Sequence, residues 1–340
     1  MISSQGFHSR GWSDFFPNAK LIIDSISPNP TINDLSTYIE SIKNIEFETL
    51  VAIGGGSVID VAKALSVLAN KSKKEINNIL LEGGKNLNKQ FHVIAIPTTA
   101  GTGAEVTPFS TIWDDKNKKK YSLGSSTLYP VAAIVDPNLV LTLGLKETGY
   151  TGLDALSHCF ESLWNKNATL LTKSIAYKAI DVILDTLPSL FKELNNVEFR
   201  SRMSWASYMG GLCINHTKTA VAHSISYPLT SHLGIPHGLA SGVFLPEILS
   251  FNKLNDKTGT MDEIYDKLSN SKSLDQKLSN LYESLEKQGL IKTILENKVK
   301  INSLVSEMIN PARSRNNIVD ISYEGIQNII DLFYQNHQKN

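Results

Sequence analysis

The placement of strand-like runs constrains this chain most. LIIDSIS, TLVAIGG, HVIAIPTT and AAIVDP all fall before about residue 140. Beyond that point amphipathic helical patterns take over, as in SIAYKAIDVILDTLPSLFKEL. A period of two and a period of 3.6 bury different residue sets, so the two halves cannot share one architecture. At 340 residues the chain also exceeds the usual size of a single core. The expectation is an α/β domain over 1–148 followed by an all-helical domain over 149–340, divided near LGLKETGYTG.

The first half carries a local signal of its own in VAIGGGSVIDVAKA, residues 51–64. Val51 and Ile53 lie in an apolar run of strand character, glycines end it, and Val58, Val61, Ala62 and Leu65 then follow a helical period. Strand, glycine turn and helix together present backbone N–H groups and a helix N-terminus that suit a pyrophosphate. Gly55 and Gly56 permit close approach, and Ser57 adds a hydroxyl at the helix start. The pattern is neither GxGxxG nor a Walker loop, and a purely structural glycine turn is the competing reading. Downstream, FHVIAIPTTAGTGAEVTPFSTIW repeats the logic, with Thr98, Thr99, Thr102 and Thr107 around Gly101 and Gly103. Hydroxyls at a strand's carboxyl end fit the crevice where a nucleotide lies across an open α/β sheet.

The second half concentrates its chemistry in four residues. Asp154 and His158 stand in GLDALSHCFES, and His223 and His237 in AHSISYPLTSHLGIPHG. One carboxylate and three imidazoles form an O,N,N,N set suited to a divalent first-row metal, iron or zinc. Asp154 and His158 are four apart, so a helix places both on one face. On one continuous helix His223 and His237 would be separated by roughly 21 Å, too far for ligands of one ion. Pro228, Gly234 and Pro236 intervene, so a helix followed by a reversal would bring both to one point. The alternative is four unrelated core or surface residues. His92, His216 and His232 stand outside the pattern.

The order GGGSVIDVAKA, PTTAGTGAEVT, GLDALSHCFES and HSISYPLTSHLGIPHG resembles the iron-dependent alcohol dehydrogenase family, from about residue 20 to 250. The resemblance implies the two-domain architecture shared with dehydroquinate synthases, a nucleotide-binding α/β domain ahead of a helical metal-binding one. It implies a homodimer that reduces a small aldehyde with NADPH or NADH and Fe2+, Zn2+ being the alternative ion, with catalysis in the cleft between domains. Asp154, His158, His223 and His237 fall on the family's ligand positions. Gly55, Gly56, Ser57, Thr98, Thr99, Thr102, Thr107 and Lys120 fall on positions that line its dinucleotide site. Within the family, TPFSTIWDD followed by KKYSL, GLDALSHCFESLWN and TKTAVAHSISYPLT resemble phosphonoacetaldehyde reductases, which form 2-hydroxyethylphosphonate. The alternatives are a general short-chain alcohol dehydrogenase of propanol, butanol, propanediol or lactaldehyde type, or a non-redox enzyme in the manner of dehydroquinate synthase.

Two departures from the family bear on function. Met1-Ile2-Ser3-Ser4 reads as the tail of a first strand, so either the start is misassigned or the sheet has lost an edge that would help hold the adenosine. No carboxylate stands at that strand end to take a ribose 2′-hydroxyl, while His8 and Arg10 follow shortly, which favours NADPH. Tyr227, four residues after His223, replaces a histidine common in relatives. Its phenol can bond substrate or cofactor but titrates near pH 10 in isolation, which makes it a weaker proton shuttle. An anionic substrate needs a cation, and Lys218, five residues before His223, is the candidate.

Charge excludes other classes. The 33 basic residues balance 33 acidic ones, so no overall field draws nucleic acid or a membrane surface, and KSKK and KNKKK read as solvated loops. No apolar stretch is long enough to span a bilayer and no signal peptide is seen. Cys159 and Cys213 are too few for a disulfide framework and sit in apolar helical surroundings, which fits a cytoplasmic protein.

Overall fold

The computed structural model describes residues 1–84, 87–114, 116–117 and 119–337. The chain forms two compact units, Met1–Thr99 with Gly103–Leu139, and Ala100–Thr102 with Val140–Asn340. These units divide at Leu139 and Val140, just ahead of LGLKETGYTG. That stretch is no linker, because its Gly144 is the N-cap of a helix that begins at Leu145.

The first unit holds strands β1 (Ile2–Ser3), β2 (Thr49–Gly54), β3 (His92–Pro97), β4 (Phe109–Asp114), β5 (Lys119–Gly124) and β6 (Ala132–Ala133). Four run parallel in the order β1-β2-β3-β6, while β4 and β5 pair antiparallel as a separate hairpin. β1, two residues long, pairs with β2 on one side and bridges Ile23 on the other. LIIDSIS does not become a strand. Among the described residues its only strand neighbour is the short β1 with the adjoining Met1, which gives three ladder bonds: Ser3 N–H to Ile23, Ile23 N–H to Met1, and Ile26 N–H to Ser3.

Three helices cover this unit, α1 (Ile32–Ile42), α2 (Gly56–Leu68) and α3 (Lys73–Leu81). α2 is buried from Val61 to Leu68 without interruption, including Lys63. The Lys63 ammonium donates to the carbonyls of Thr107 and Phe109 at 2.8 and 2.9 Å. Asp60, one turn earlier, accepts from the Thr111 N–H at 2.9 Å. Burial pushes Lys63 down to about 8 and Asp60 up to about 6, each opposed by the other's charge. This pair ties the hairpin to α2.

The second unit is helical throughout. Its helices are α4 (Leu145–Leu163), α5 (Leu170–Leu190), α6 (Val197–Thr217), α7 (Val221–Leu233), α8 (His237–Gly242), α9 (Leu245–Asn255), α10 (Thr260–Leu268), α11 (Leu274–Lys287), α12 (Lys292–Glu296), α13 (Lys298–Ser303), α14 (Pro311–Ser314) and α15 (Tyr323–His337). α4 lies at the centre, buried without a break from Gly152 to Leu163 and packed against α5, α6 and α8. Leu153, Leu156, Phe160 and Leu163 on α4 meet a core to which α5 adds Ala179, Ile183 and Leu187. Each such side chain contributes about 1.5–3 kcal/mol by leaving water. No helix among the described residues is long and apolar enough to cross a membrane.

Glu247 on α9 is buried, accepts from Asn336 on α15 at 3.1 Å, and leaves its second oxygen unbonded. Burial raises it from 4.5 to about 7. The folded chain therefore holds a proton there, between pH 4.5 and 7, that the unfolded chain releases. Unfolding free energy should fall across that window, fully favourable at its acid end and lost as pH rises through the upper value. Glu247→Gln should flatten the dependence by roughly 3 kcal/mol, read from urea denaturation at several pH values.

Candidate active site

Asp154 and His158 project from one face of the buried α4, one turn apart, as i and i+4 require. His223 sits in the first turn of α7, and His237 is the first residue of α8. The expected reversal exists, and of the three breakers Gly234 makes it while Pro228 does not. α7 runs straight through Pro228 to Leu233, and Gly234 stops it with φ 65. That left-handed conformation costs glycine nothing and ends the helix. Ile235 and Pro236 then lead directly into α8.

Close packing of α8 on α4 completes the convergence. A Cβ at Gly238 would collide with the Tyr150 carbonyl, and one at Gly242 would stand 2.6 Å from Leu153 Cβ. Two glycines four apart thus let α8 lie against α4 and carry His237 to Asp154. The Ala100–Thr102 loop packs equally closely, since a Cβ at Gly101 would stand 2.6 Å from Thr151 Cβ.

The outcome is a carboxylate ringed by imidazoles. Asp154 Oδ1 lies 3.8 Å from His158 Nε2, 3.7 Å from His223 Nε2 and 3.9 Å from His237 Nε2. Ligand atoms of Asp154, His223 and His237 all lie within 4.8 Å of one another. These are not hydrogen-bond lengths. Ligands bound at about 2.1 Å around one ion stand roughly 3.4 Å apart, so Asp154, His223 and His237 fit a shared divalent cation after a small contraction, with His158 beside Asp154 but outside that group of three. His223 Nε2 is buried with no hydrogen-bond partner, which the same ion would satisfy.

Electrostatics leave Asp154 and His158 ready for a cation, which would have to displace a proton from His223. Burial alone would raise Asp154, but the three histidines hold it far below the ordinary carboxylate range. Burial lowers His158 to about 4, so it is neutral and ready to ligate. His223 rises to about 9, because Glu161 and Asp154 outweigh its desolvation. Glu161 is the residue that sequence reasoning passed over. Fully buried on α4, it meets His223 Nδ1 at 2.5 Å and accepts the His223 backbone N–H at 3.1 Å. A carboxylate on Nδ1 fixes the ring's orientation and turns Nε2 toward the cluster. The signal was available, since Glu161 stands three residues after His158 on the same face.

Nucleotide candidates group at the carboxyl ends of β2 and β3. Gly54 pairs in register with Pro97, so the two turns lie side by side, and a Cβ at Gly55 would stand 3.1 Å from Thr99 Cγ2. α1 and α3 are capped by Thr31 and Ser72, whereas Gly55 leaves α2 without a side-chain cap. The first-turn N–H groups at Gly56 and Ser57 are therefore available to an anion. Ser57 Oγ accepts from Asn29 N–H at 3.2 Å. Thr98 continues the sheet by donating its N–H to Gly54. Thr102 falls in the second unit with Ala100 and Gly101. Thr107 is buried against Lys63, and Lys120 on β5 lies 5.5 Å over the Trp113 ring.

Lys218 caps α6 with its side chain exposed and its backbone at φ 62, ψ 178. That region belongs almost entirely to glycine and costs about 1–3 kcal/mol. The Asn165 amide and the Thr217 hydroxyl, which donate to its carbonyl at 3.2 and 3.0 Å, hold it there. Tyr227 follows His223 by one turn of α7, and its phenol oxygen accepts from Arg313 Nε at 2.8 Å.

The first unit offers an uncapped helix N-terminus that suits an anion, and the second gathers a carboxylate and imidazoles that suit a divalent ion. Comparison with known proteins narrows the class. The family model described as iron-containing alcohol dehydrogenase matches residues 17–137, and that of the Fe-containing alcohol dehydrogenase family, C-terminal, matches 148–334. Sulfoacetaldehyde reductase from Bifidobacterium kashiwanohense, solved with NAD+, superposes with a TM-score of 0.87 at 31% identity, covering 99% of this chain and 89% of its own. Phosphonoacetaldehyde reductase from Streptomyces viridochromogenes is 32% identical over 74% of this chain and 66% of its own. Alcohol dehydrogenase 4 from Saccharomyces cerevisiae is 33% identical over 68% of this chain, which spans 60% of that relative's length. The chain belongs to the iron-containing alcohol dehydrogenase family.

Glu161→Gln should keep the shape of the site while removing the charge that faces His223. Metal affinity is expected to fall about 10–100-fold, measured by competition with a chromogenic chelator, with little change in melting temperature.

Proposed function

We propose that the protein reduces a small anionic aldehyde to a primary alcohol with NADPH or NADH, phosphonoacetaldehyde to 2-hydroxyethylphosphonate being the leading reaction. The convergence of Asp154, His158, His223 and His237 carries this reading, and two relatives support the substrate class. One is named for sulfoacetaldehyde and the other for phosphonoacetaldehyde, both two-carbon aldehydes bearing an acid group beside the carbonyl carbon. When bound, a divalent ion supplies Lewis acidity to the carbonyl oxygen and the reduced nicotinamide supplies hydride to the carbonyl carbon. Asp154 and the three imidazoles hold the ion, Fe2+ in our reading with Zn2+ as the alternative, since both accept this donor set.

The chain's own groups do the rest. The uncapped α2 N-terminus, Gly55, Gly56 and Ser57 receive the pyrophosphate, and Thr98, Thr99, Thr102, Thr107 and Lys120 line the remainder of the nucleotide site. Tyr227 passes one proton to the product oxygen, directly or by way of water. Lys218 offers charge to the acid group. With aldehyde, NAD(P)H and one proton consumed, alcohol and NAD(P)+ are released. Ser3 and Ser4 stand at the end of β1 with no carboxylate to claim a ribose 2′-hydroxyl, which favours NADPH. Cys159 and Cys213 are both free and buried, as suits work in a reducing cytoplasm, and the family resemblance is the ground for reading a homodimer.

Nicotinamide absorbance with an aldehyde panel tests the reaction. Phosphonoacetaldehyde should give the highest kcat/KM, and better turnover of propanal or lactaldehyde would assign a general short-chain alcohol dehydrogenase instead. Titration of both cofactors should show a lower KM for NADPH, and a strong preference for NADH would remove that part of the reading. His237→Ala leaves three ligands, so metal content and turnover should both collapse, the latter at least ~100-fold. Full occupancy with normal turnover would refute the ligand assignment.

A further inference from the structure

We propose that Arg313, presented by Tyr227, holds the acid head group of the substrate. The inference rests on the reading of an anionic aldehyde and names a residue that neither the sequence motifs nor the ligand cluster indicate.

Two arginines of the helical unit show the contrast. Arg200 is buried and saturated, donating Nε to Leu194, Nη1 to Thr148 and Nη2 to Leu143, all at 2.8 Å. It is a structural tie. Arg313 is half-buried, and its Nε donates to the Tyr227 phenol oxygen. Its Nη1 and Nη2 have no partner among the described residues, and no carboxylate pairs with it. Two parallel N–H donors on a planar cation match two oxygens of a phosphonate, sulfonate or carboxylate.

Its position is determined by the helix that carries a candidate ligand. Tyr227 lies one turn beyond His223 on the same face of α7, about 6 Å along the axis, and helical side chains lean back toward the N-terminus. The phenol therefore reaches over the His223 turn, with the guanidinium beyond it. The segment bearing Arg313 is bound on both sides of His223, to Ser224 on α7 and to Thr219 just ahead of it. Ser224 Oγ donates to the Met308 carbonyl and accepts the Asn310 N–H, each at 2.6 Å. Asn316 Nδ2 donates to the Thr219 carbonyl at 2.8 Å. An aldehyde whose oxygen lies at the cluster would direct an acid group on the next carbon toward this cation.

The test compares Arg313→Met, Arg313→Lys and Lys218→Met in the metal-loaded protein, with melting temperatures as the folding control. The first readout is the ratio of kcat/KM for phosphonoacetaldehyde to that for propanal. The second is inhibition of propanal reduction by ethylphosphonate and ethanesulfonate, which cannot be reduced. Arg313→Met should lower the ratio roughly 30-fold and raise both inhibition constants at least tenfold, as expected for losing a charged two-point contact. Arg313→Lys, which keeps the charge without the fork, should fall between and serves alone if Arg313→Met does not fold. A ratio and inhibition constants within threefold of the unmutated protein would overturn the proposal, as would a loss confined to Lys218→Met. If the unmutated protein shows no preference for anionic aldehydes, yet ethylphosphonate inhibition depends on Arg313, the substrate reading fails and the anion site stands. Absence of both preference and inhibition would sink the two together.

Discussion

A buried carboxylate governs this molecule. Asp154 sits in the central helix of the second unit with almost no access to water, where an uncompensated charge is costly. Compensation comes from three imidazoles that belong to three helices, and two of them had to be brought there by packing. α4 supplies His158 through its own pitch. α7 supplies His223, orientated by Glu161, and α8 supplies His237 through two glycines that allow near-contact of backbones. Removing the convergence would leave the carboxylate stranded in an apolar core, so the same interaction that prepares a metal site also specifies how these helices pack.

The first unit solves a different problem, keeping a helix N-terminus available. α1 and α3 satisfy their first-turn donors with capping boxes, while α2 begins on glycines. α2 can afford this because its body is secured elsewhere. It is buried along most of its length, and Asp60 and Lys63 fasten it to the hairpin strand through backbone groups. Stability resides in the helix interior, and the end keeps its first-turn donors without a side-chain cap.

Around the cluster, several residues are held in place by bonds that cross long stretches of sequence. Asn165 and Thr217 clamp the strained Lys218 carbonyl, Ser224 binds Met308 and Asn310, and Asn316 binds Thr219. These contacts fix the segment between α6 and α7 and bring the 308–316 stretch to the helix that carries His223. Small polar side chains do this because they reach backbone groups without demanding space in the core.

What was legible in the chain was local. A helical period places Asp154 and His158 on one face, glycines after an apolar run mark a strand-to-helix turn, and the segregation of strand-like from helical patterns separates the two units. Each depends on neighbours within a few residues, which the order of residues specifies directly. LIIDSIS misled because strand formation depends on a partner, and only the short β1 lay beside it. Pro228 misled because the rest of α7 is packed on both sides of it, so the helix continued to Gly234. The bond from Arg313 to Tyr227 and the reach of α8 onto Asp154 join residues more than eighty positions apart. No periodicity encodes such pairs. The order of residues set which chemistry was present; the packing of α4, α7 and α8 decided that four of those groups would meet, because only in the folded core is a buried charge forced to find its partners.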